Sequence, residues 1–516
     1  MSATHHVLVV GHGPAAHRLV ERLRAHGHRG PVTVLGAEPR PAYNRVLLTS
    51  VLDGTLTAGD LELPAPPDGV HVRHGVTVTA VDRARRLVRT GTGETIRYDR
   101  LVLATGARPR VPQLPGVLTA DGRLTEGATT LRTPDDAERL ADGPVVVLGG
   151  GVLGTETTLA LLRAGRDVTL VHPGPHPMHD RLDGAAGTLL ADHLRAAGAR
   201  LRTGRAAVEY RPGKLALDDG EVLRADALAL CTGVEPETAL ARRAGLAVRT
   251  GIVVDRRLRT GDPRIHALGD CAEFGGEVPG LVGAAWEQAE TLARILAGHD
   301  THHRAGRPLL RVRAPGLDLA CLGPPDPPGA TRHITLSDPA RGRHAALALS
   351  GERVAGAVLV GLPRATAALA QLYARDLPVP SDRFGLLLGT ASGAPPARVE
   401  LPDAAVLCHC NHVTKADLLR AWHAGARDLA GIAAATRATT GCGGCADDVR
   451  LVLASAAGAP ASGTSSAGAP VSGAPAGAPV SGTSAGTSSA GTSAAGAPAA
   501  AAPATGASAT GGNSDP

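Results

Sequence analysis

The feature that most constrains this chain is a glycine-rich turn that occurs twice, each time between a short apolar strand and a helix. Residues 7–10 (VLVV) lead into the first turn, GHGPAA at 11–16, and a helix and a second apolar strand follow. Residues 145–154 (VVVLGGGVLG) repeat the pattern. One such turn also occurs without a ligand, whereas two in the same strand–turn–helix–strand context predict two dinucleotide-binding folds.

Each small residue of the first turn has a physical role. Gly11 permits the tight turn, Gly13 lets backbone N–H groups approach a pyrophosphate, and Ala16 lets helix and strand pack closely. The following strand, PVTVLGAE, is predicted to end at Glu38, where a carboxylate can accept hydrogen bonds from ribose hydroxyls. The second turn has glycine at all three positions, namely Gly149, Gly151 and Gly154.

Three further apolar segments end in small residues and are predicted to be strands. They are LVLATG at 101–106, ALALCTG at 227–233 and RIHALGD at 264–270. At the carboxyl end of a strand, Asp270 can accept hydrogen bonds from polyol hydroxyls, although a Gly-Asp pair alone is usually only a turn.

Four of the seven cysteines fall within residues 408–445, as Cys408-His409-Cys410 and Cys442-Gly443-Gly444-Cys445. Short spacers deliver two thiolates from one turn, and neighbouring glycines let backbone N–H groups point at sulfur. Residues 414–436, between the pairs, are predicted to be helical. The alternative is a zinc site, but zinc sites with four cysteines usually have two CxxC pairs, which CxC fits poorly.

Composition excludes several classes of protein. No apolar run reaches the roughly 18 residues of a membrane span. The start lacks the features of a signal peptide, so the seven cysteines are expected to be reduced thiols in the cytoplasm. The net charge is +5 without a basic run, so nucleic acid is not an expected partner. Residues 456–516 repeat small residues and are predicted to be disordered.

The order of these motifs resembles the FAD/NAD(P)-dependent pyridine nucleotide reductases. The stretches 38–48, 178–190 and 264–274 look more narrowly like the flavoprotein part of assimilatory nitrite and nitrate reductases, and residues 404–455 resemble the BFD-type [2Fe–2S] domain. The implied fold class is α/β, with two nested Rossmann-like domains, an α+β third domain, a small helical iron–sulfur domain and the tail. The implied boundaries are 1–115 and 236–295 for FAD, 116–235 for NAD(P), 296–400 for the third domain and 404–455 for the iron–sulfur domain.

The resemblance also implies cofactors and the residues that hold them. FAD would be held by Gly11, Gly13, Ala16, Glu38, Arg45, Thr105, Gly106 and Asp270. NAD(P)H would lie at Gly149, Gly151, Gly154 and Glu156. The [2Fe–2S] cluster would be bound by Cys408, Cys410, Cys442 and Cys445. Hydride transfer needs no side-chain acid or base, so no catalytic residue is predicted.

Two positions refine this expectation. Disulfide members of the superfamily carry a cysteine pair after the first strand–helix–strand, where residues 41–50 here read PAYNRVLLTS, so a dithiol relay at this position is excluded. After the second strand of the second fold, an acid would favour NAD and an arginine NADP. This chain has His172, and NADH is the favoured cofactor.

Two dinucleotide sites and a one-electron centre predict an electron-transfer protein. It would accept two electrons from NAD(P)H at the flavin and pass them on one at a time through the cluster. All seven cysteines are accounted for, so we expect the acceptor to be a separate nitrate or nitrite reductase protein. The alternatives are a reductase for a ferritin-type iron store, a flavoprotein dehydrogenase of a small amine or imino acid, and a zinc-bearing, nucleotide-sensing binding protein. The second glycine-rich turn argues against the dehydrogenase. A homodimeric assembly is left open.

Overall fold

The computed structural model describes residues 4–140, 143–314, 316–389, 402–403, 405–408, 411, 413–440 and 445–457. Apart from its first two residues, the predicted disordered tail at 456–516 lies outside these ranges.

The first fold is built on a five-stranded parallel sheet whose central strand, Val7–Val10, is fully buried. Val7 lies opposite Val32 on one side and Arg100 on the other. In spatial order the strands are Ile265–Ala267, Arg100–Leu103, Val7–Val10, Val32–Leu35 and Val70–Arg73. The helices Pro14–Ala25 and Val282–Leu296 pack against each other and share one core with the sheet. A smaller antiparallel sheet packs on the same core, with strands Val78–Asp82, Leu87–Thr90 and Thr95–Arg97.

The second fold repeats this plan. Its five parallel strands are, in order, Arg200–Thr203, Val168–His172, Val145–Leu148, Ala227–Leu230 and Ala128–Thr130. Its two long helices are Val152–Arg163 and Gly184–Ala196. Its antiparallel sheet contains Ala207–Arg211, Gly213–Leu217 and Val222–Ala225. The chain enters and leaves this fold through paired strands, Ala107–Pro109 and Val234–Pro236, so the second fold is inserted into the first. The nested arrangement expected from the sequence is confirmed.

A third unit is a five-stranded antiparallel sheet, as the α+β expectation required. Its strands in order are Leu309–Ala314, Leu317–Leu322, Arg353–Val360, Arg343–Ser350 and Arg332–Asp338. One face packs on helices Pro363–Ala374 and Arg383–Leu388. The opposite face contributes Cys321 and Val358 to a core shared with Met178 and Leu190 of the second fold.

The iron–sulfur domain is small and mainly helical. Its elements are the strands Val406–Cys408 and Val413–Thr414 and the helices Lys415–His423, Leu429–Thr436 and Ala446–Ala456. The expectation of one helical segment over 414–436 is wrong, because the segment forms two helices. The second begins after Asp428, whose carboxylate accepts a hydrogen bond from the Gly431 amide at 2.7 Å and caps the new helix.

The remaining elements are short connections. The helices are Thr49–Leu52, Pro134–Glu138 and Ala239–Arg243, and the strands are Ile252–Val254 and Ala272–Phe274. Single 3₁₀ turns span Arg45–Leu47, Gly59–Leu61, Gly269–Cys271 and Pro339–Arg341. Among the described residues, no helix has both the length and the apolar character that a membrane crossing requires.

Candidate functional site

Both glycine-rich turns have the same backbone geometry. Gly11 has φ +105° and Gly149 has φ +109°, values that favour glycine over any L side chain. A Cβ on Gly11 would collide with the carbonyl oxygen of Ala104, and one on Gly149 would collide with that of Cys231. In each fold the first glycine is therefore required by the neighbouring parallel strand as well as by the turn.

The second and third positions of the two turns differ in the expected way. No heavy atom of the rest of the chain lies within 4 Å of where a Cβ would sit on Gly13 or Gly151, so both face open space that a ligand can approach. At the third position Ala16 is fully buried. A Cβ on Gly154 would collide with the carbonyl oxygen of Gly149, so only glycine fits there.

A cavity of about 1570 Å³ brings most of the predicted flavin residues together. Glu156 of the second fold lines the same cavity, and so does Cys445 of the iron–sulfur domain. The predicted residues from the first fold that line it are Gly11, Gly13, Glu38, Arg45, Thr105, Gly106 and Asp270. The glycines of the second turn do not line it. This cavity exceeds the roughly 300–1,000 Å³ typical of small-ligand pockets, as a dinucleotide-sized ligand would require.

The sequence predicts that the second strand ends at Glu38, and this prediction is wrong. The strand stops at Leu35, where its last backbone pairing occurs, and Glu38 follows three residues later. Its carboxylate forms an ion pair with Arg45 and accepts a hydrogen bond from the Tyr43 hydroxyl at 2.8 Å. Burial raises the pKa of Tyr43, against the opposing charge of Arg45 and with a further contribution from Glu38, so this hydroxyl stays protonated and donates. No sequence motif singles out Tyr43, although it lies two residues from Arg45.

Arg132 is a second residue at the cavity that no sequence motif predicts. Its guanidinium Nη2 lies 3.3 Å from Asp270 Oδ2, and its carbonyl oxygen accepts a hydrogen bond from Arg45 Nη1 at 2.9 Å. Arg132 therefore connects two predicted flavin residues that are distant in sequence. Its local sequence signals only the helix that starts after Thr133, which explains why pattern reasoning did not find it.

Thr105 and Gly106 join the cavity to the crossover between the two folds. The Thr105 hydroxyl donates to the carbonyl oxygen of Glu237 at 2.6 Å, and the Glu237 amide donates to the carbonyl oxygen of Gly106 at 2.8 Å. These two hydrogen bonds hold the segment that enters the second fold next to the segment that leaves it, at the edge of the cavity.

The strand end of the second fold holds a pair of histidines. His172 Nδ1 accepts a hydrogen bond from the Gly150 amide at 3.1 Å, and His172 Nε2 lies 2.8 Å from His179 Nδ1. Because Nδ1 of His172 is an acceptor, its Nε2 carries the proton and donates to His179. Burial, and then the neighbouring His179, lowers the pKa of His172, so the ring is neutral at physiological pH.

Two of the four predicted cluster ligands lie among the described residues. Cys408 and Cys445 are both buried in the core of the iron–sulfur domain, and neither forms a disulfide. Cys410 and Cys442 lie outside the described residues. Two buried thiols from a CxC and a CxxC pair have the donor chemistry that an iron–sulfur cluster needs, because bound iron compensates the burial of thiolate charge.

The other cysteines have no such setting. Burial raises the pKa of Cys231 and of Cys321 to about 12 and also raises that of Cys271. These thiols stay protonated and unreactive, as expected of core residues.

Comparisons with known proteins agree with this geometry. Residues 5–289, more than half of the chain, match the family model described as pyridine nucleotide-disulphide oxidoreductase. The chain belongs to this family. Residues 406–455 match the BFD-like [2Fe-2S] binding domain. The chain is therefore an oxidoreductase with FAD- and NAD(P)H-binding folds and an iron–sulfur domain, and the family resemblance seen in the sequence is confirmed.

Individual relatives narrow the comparison. The chain is 32% identical to the nitrite reductase [NAD(P)H] large subunit of Klebsiella oxytoca, over 87% of this chain and 48% of that protein. It is 30% identical to the assimilatory nitrate reductase electron transfer subunit of Bacillus subtilis, over 85% of this chain and 58% of that protein. The chain thus spans about half the length of these relatives. The crystal structure of the covalent putidaredoxin reductase–putidaredoxin complex matches with a TM-score of 0.68 and 29% identity, covering 76% of this chain and all of that one.

Proposed function

We propose that this chain oxidises NAD(P)H and passes the electrons through FAD and its [2Fe–2S] cluster to a separate nitrate or nitrite reductase protein. The observation that carries the proposal is the shared cavity. Glu38 and Asp270 of the first fold, Glu156 of the second fold and Cys445 of the iron–sulfur domain all line it. A hydride donor, a flavin and a one-electron centre need to meet at one place, and this cavity offers residues from each predicted site.

The residues of the first fold serve to bind and orient. Gly13 leaves its turn open to a pyrophosphate, and Glu38, held by Arg45 and Tyr43, presents a carboxylate to ribose hydroxyls. Asp270, held by Arg132, faces the cavity at the other end of the sheet. When bound, the flavin would supply two-electron acceptance from nicotinamide and one-electron release to the cluster.

The second fold would hold the nicotinamide dinucleotide at Gly149, Gly151 and Gly154, with Glu156 toward the flavin. We propose NADH as the preferred donor. The residue that ends the second strand, His172, is neutral and is engaged by the Gly150 amide and by His179, so it presents no fixed cation to a 2′-phosphate. We also propose that the reaction takes place in the cytoplasm, a compartment in which thiols such as those of Cys231, Cys271 and Cys321 stay reduced.

The acceptor is proposed from the relatives. Two of them are named for nitrite reduction and for electron transfer in assimilatory nitrate reduction. The second name describes an electron-transfer subunit, and by analogy we propose that the terminal chemistry of this chain occurs on another protein.

An anaerobic visible spectrum of the full chain, before and after addition of NADH, tests the proposal. Flavin bands and a broad iron–sulfur absorption should both bleach, and adding a purified terminal nitrate or nitrite reductase with its substrate should restore them. A flavin that both NADH and NADPH leave oxidised would contradict the electron path. Bleaching that the terminal reductase does not reverse would contradict the acceptor and leave a ferritin-type store as the next candidate.

A further inference from the structure

Residues 43–62, called the docking segment below, occupy the stretch that begins where disulfide members carry their cysteine pair. We propose that this segment is a built-in docking surface that holds the iron–sulfur domain in one position against the flavin cavity, with Arg437 and Asn411 as its positioning residues. The inference rests on the proposed function for its purpose, but the contacts stand independently.

The apolar part of the docking segment is buried together with the iron–sulfur domain. Leu47 and Leu48 are each 3% exposed and Leu61 is fully buried. All three belong to one core that also contains Leu407 and Leu418 of the iron–sulfur domain. Burial of apolar area is the main favourable contribution to contacts of this kind, so the two parts stabilise each other.

An amide bridge joins the two parts at the centre of the contact. Asn44 Nδ2 donates to Asn411 Oδ1 at 3.0 Å. Asn411 Nδ2 in turn donates to the carbonyl oxygen of Arg437 at 2.6 Å and to Thr440 Oγ1 at 3.2 Å. Asn411 therefore links the first cysteine pair, which it directly follows, to the chain just before the second pair and to the docking segment.

Arg437 adds a charged clamp. Its guanidinium donates to the carbonyl oxygen of Asp60 at 2.8 Å and to that of Glu62. Arg437 ends its helix at φ +62°, a left-handed conformation that is unfavourable for a residue with a side chain. Glycine would fit this backbone better, and the hydrogen bonds of the arginine to the docking segment offset the local cost.

Residues on both sides of the docking contact lie at the wall of the flavin cavity. Asn44 and Arg45 are neighbours, and Arg45 holds Glu38 at the cavity wall. On the other side of the contact, Leu407 and Cys445 line the same cavity. The docking segment thus brings Leu407 and Cys445 of the iron–sulfur domain to the cavity that Glu38 and Arg45 also line.

The test compares Arg437→Gly with Arg420→Ala in the full chain at matched iron content. The glycine variant removes the guanidinium and relieves the positive-φ backbone, so its effect cannot come from added backbone strain. The control removes a cation from the same domain whose partner is Asp417, within its own helix. Arg437→Lys tests whether a cation with fewer donors restores part of the effect.

Two measurements are made. In Arg437→Gly we expect amide hydrogen exchange in the docking segment to be about tenfold faster, because charge-assisted hydrogen bonds that resist local opening are lost. We also expect stopped-flow bleaching of the cluster by NADH to slow about tenfold while bleaching of the flavin changes less than about twofold, with partial recovery in Arg437→Lys. Arg420→Ala should match the wild type in both.

Exchange at the wild-type rate, or cluster bleaching at the wild-type rate, in Arg437→Gly would overturn the inference. Failure of the proposed function is recognised separately, because a wild-type flavin that neither NADH nor NADPH bleaches contradicts that function, whereas the exchange measurement still decides the docking contact.

Discussion

The first and second dinucleotide folds share a turn but differ where the second strand ends. Gly11 and Gly149 have nearly equal φ angles and the same close approach to a neighbouring strand. Three residues after its second strand, the first fold has Glu38, held by an arginine and a tyrosine, whereas the second strand of the second fold ends at the neutral His172. We propose from this difference that the turn allows a dinucleotide to bind and that the residues after the second strand select which one.

The two folds also differ in what covers them. The cavity of the first fold is lined by residues of the iron–sulfur domain, such as Cys445, and by residues of the third unit, such as Tyr373. The second fold packs against the third domain, where His344 Nε2 lies 3.0 Å from Asp183 Oδ2. Asp183 also caps the helix Gly184–Ala196 through the amides of Ala185 and Ala186. The Asp183 carboxylate therefore caps a helix and also forms a hydrogen bond between the second fold and the third unit.

The largest expected effects come from breaking each turn in the same way. Gly11→Ala should yield a chain without bound flavin, and Gly149→Ala a chain that keeps flavin but that NADH does not bleach. Each change forces a side chain into a positive-φ position, at a cost of about 1–3 kcal/mol, and against a carbonyl oxygen. Flavin absorbance per chain and the rate of bleaching are the measurements.

The matched control is Gly165→Ala. Gly165 has φ +76°, but no heavy atom lies within 4 Å of an added Cβ, so the control carries the strain without the collision. We expect it to keep both flavin and bleaching. Wild-type bleaching of Gly149→Ala would show that the second turn is not the nicotinamide site.

A smaller effect is expected from removing the charge of Glu38. Glu38→Gln should weaken flavin binding roughly 10- to 100-fold, because hydrogen bonds to a charged group contribute about 1.5–3 kcal/mol and Arg45 loses its ion pair. The dissociation constant is measured by titrating the flavin-free chain. Glu94→Gln, which removes a carboxylate paired with Arg73 at the surface, should leave it unchanged. Equal constants in the two variants would contradict the role of Glu38.

A further test places a carboxylate at the end of the second strand in the second fold. This position corresponds to Gly36, two residues before Glu38, because the amides of Gly11 and Gly149 donate to the carbonyl oxygens of Leu35 and Val171. His172→Glu should raise the ratio of kcat/KM for NADH over that for NADPH about tenfold, because a carboxylate accepts from ribose hydroxyls and repels a 2′-phosphate. The Gly150 amide that now donates to His172 would donate to the new carboxylate. His71→Glu, an exposed change in the first fold, is the control. An unchanged ratio would show that selection occurs elsewhere.

The smallest expected effect is on the free energy of unfolding, at the contact between Asp183 and His344. The hydrogen bond from His344, followed by contributions from the helix amides, lowers the pKa of Asp183. A lowered carboxyl pKa means that the stabilisation is present above the usual value of 3.8 and is lost as the pH falls through the folded-state pKa. Asp183→Asn should therefore lower the free energy of unfolding at pH 7 by about 1 kcal/mol after solvent screening.

This loss is measured by thermal unfolding at pH 7 and again below pH 4, where the difference from the wild type should shrink. Asp192→Asn, on the same helix and paired with Arg195, is the control and should change little at either pH. A difference that persists at low pH would contradict the assigned role of the Asp183 charge.

Sequence reasoning succeeded where the constraint is local. Gly11 and Gly13 were assigned their turn roles from three or four neighbours, and the structure gives them the expected backbone and open space. The predicted ends of strands and helices are wrong by a few residues. The strand before Glu38 is shorter than predicted, and residues 414–436 break into two helices, because the Asp428 cap competes with continued helix.

Local sequence is enough to predict the two turns, the order of strands and helices around them and the spacing of the cysteines. These features depend on backbone conformation and on short spacers, which neighbouring residues encode. The packing of the folded chain is needed to show that Arg132 joins Asp270 to Arg45, and that Arg437 and Asn411 hold the iron–sulfur domain on residues 43–62. Such contacts join residues more than eighty positions apart, and neither periodicity nor spacing records which distant carbonyl or carboxylate a side chain meets once the domains pack.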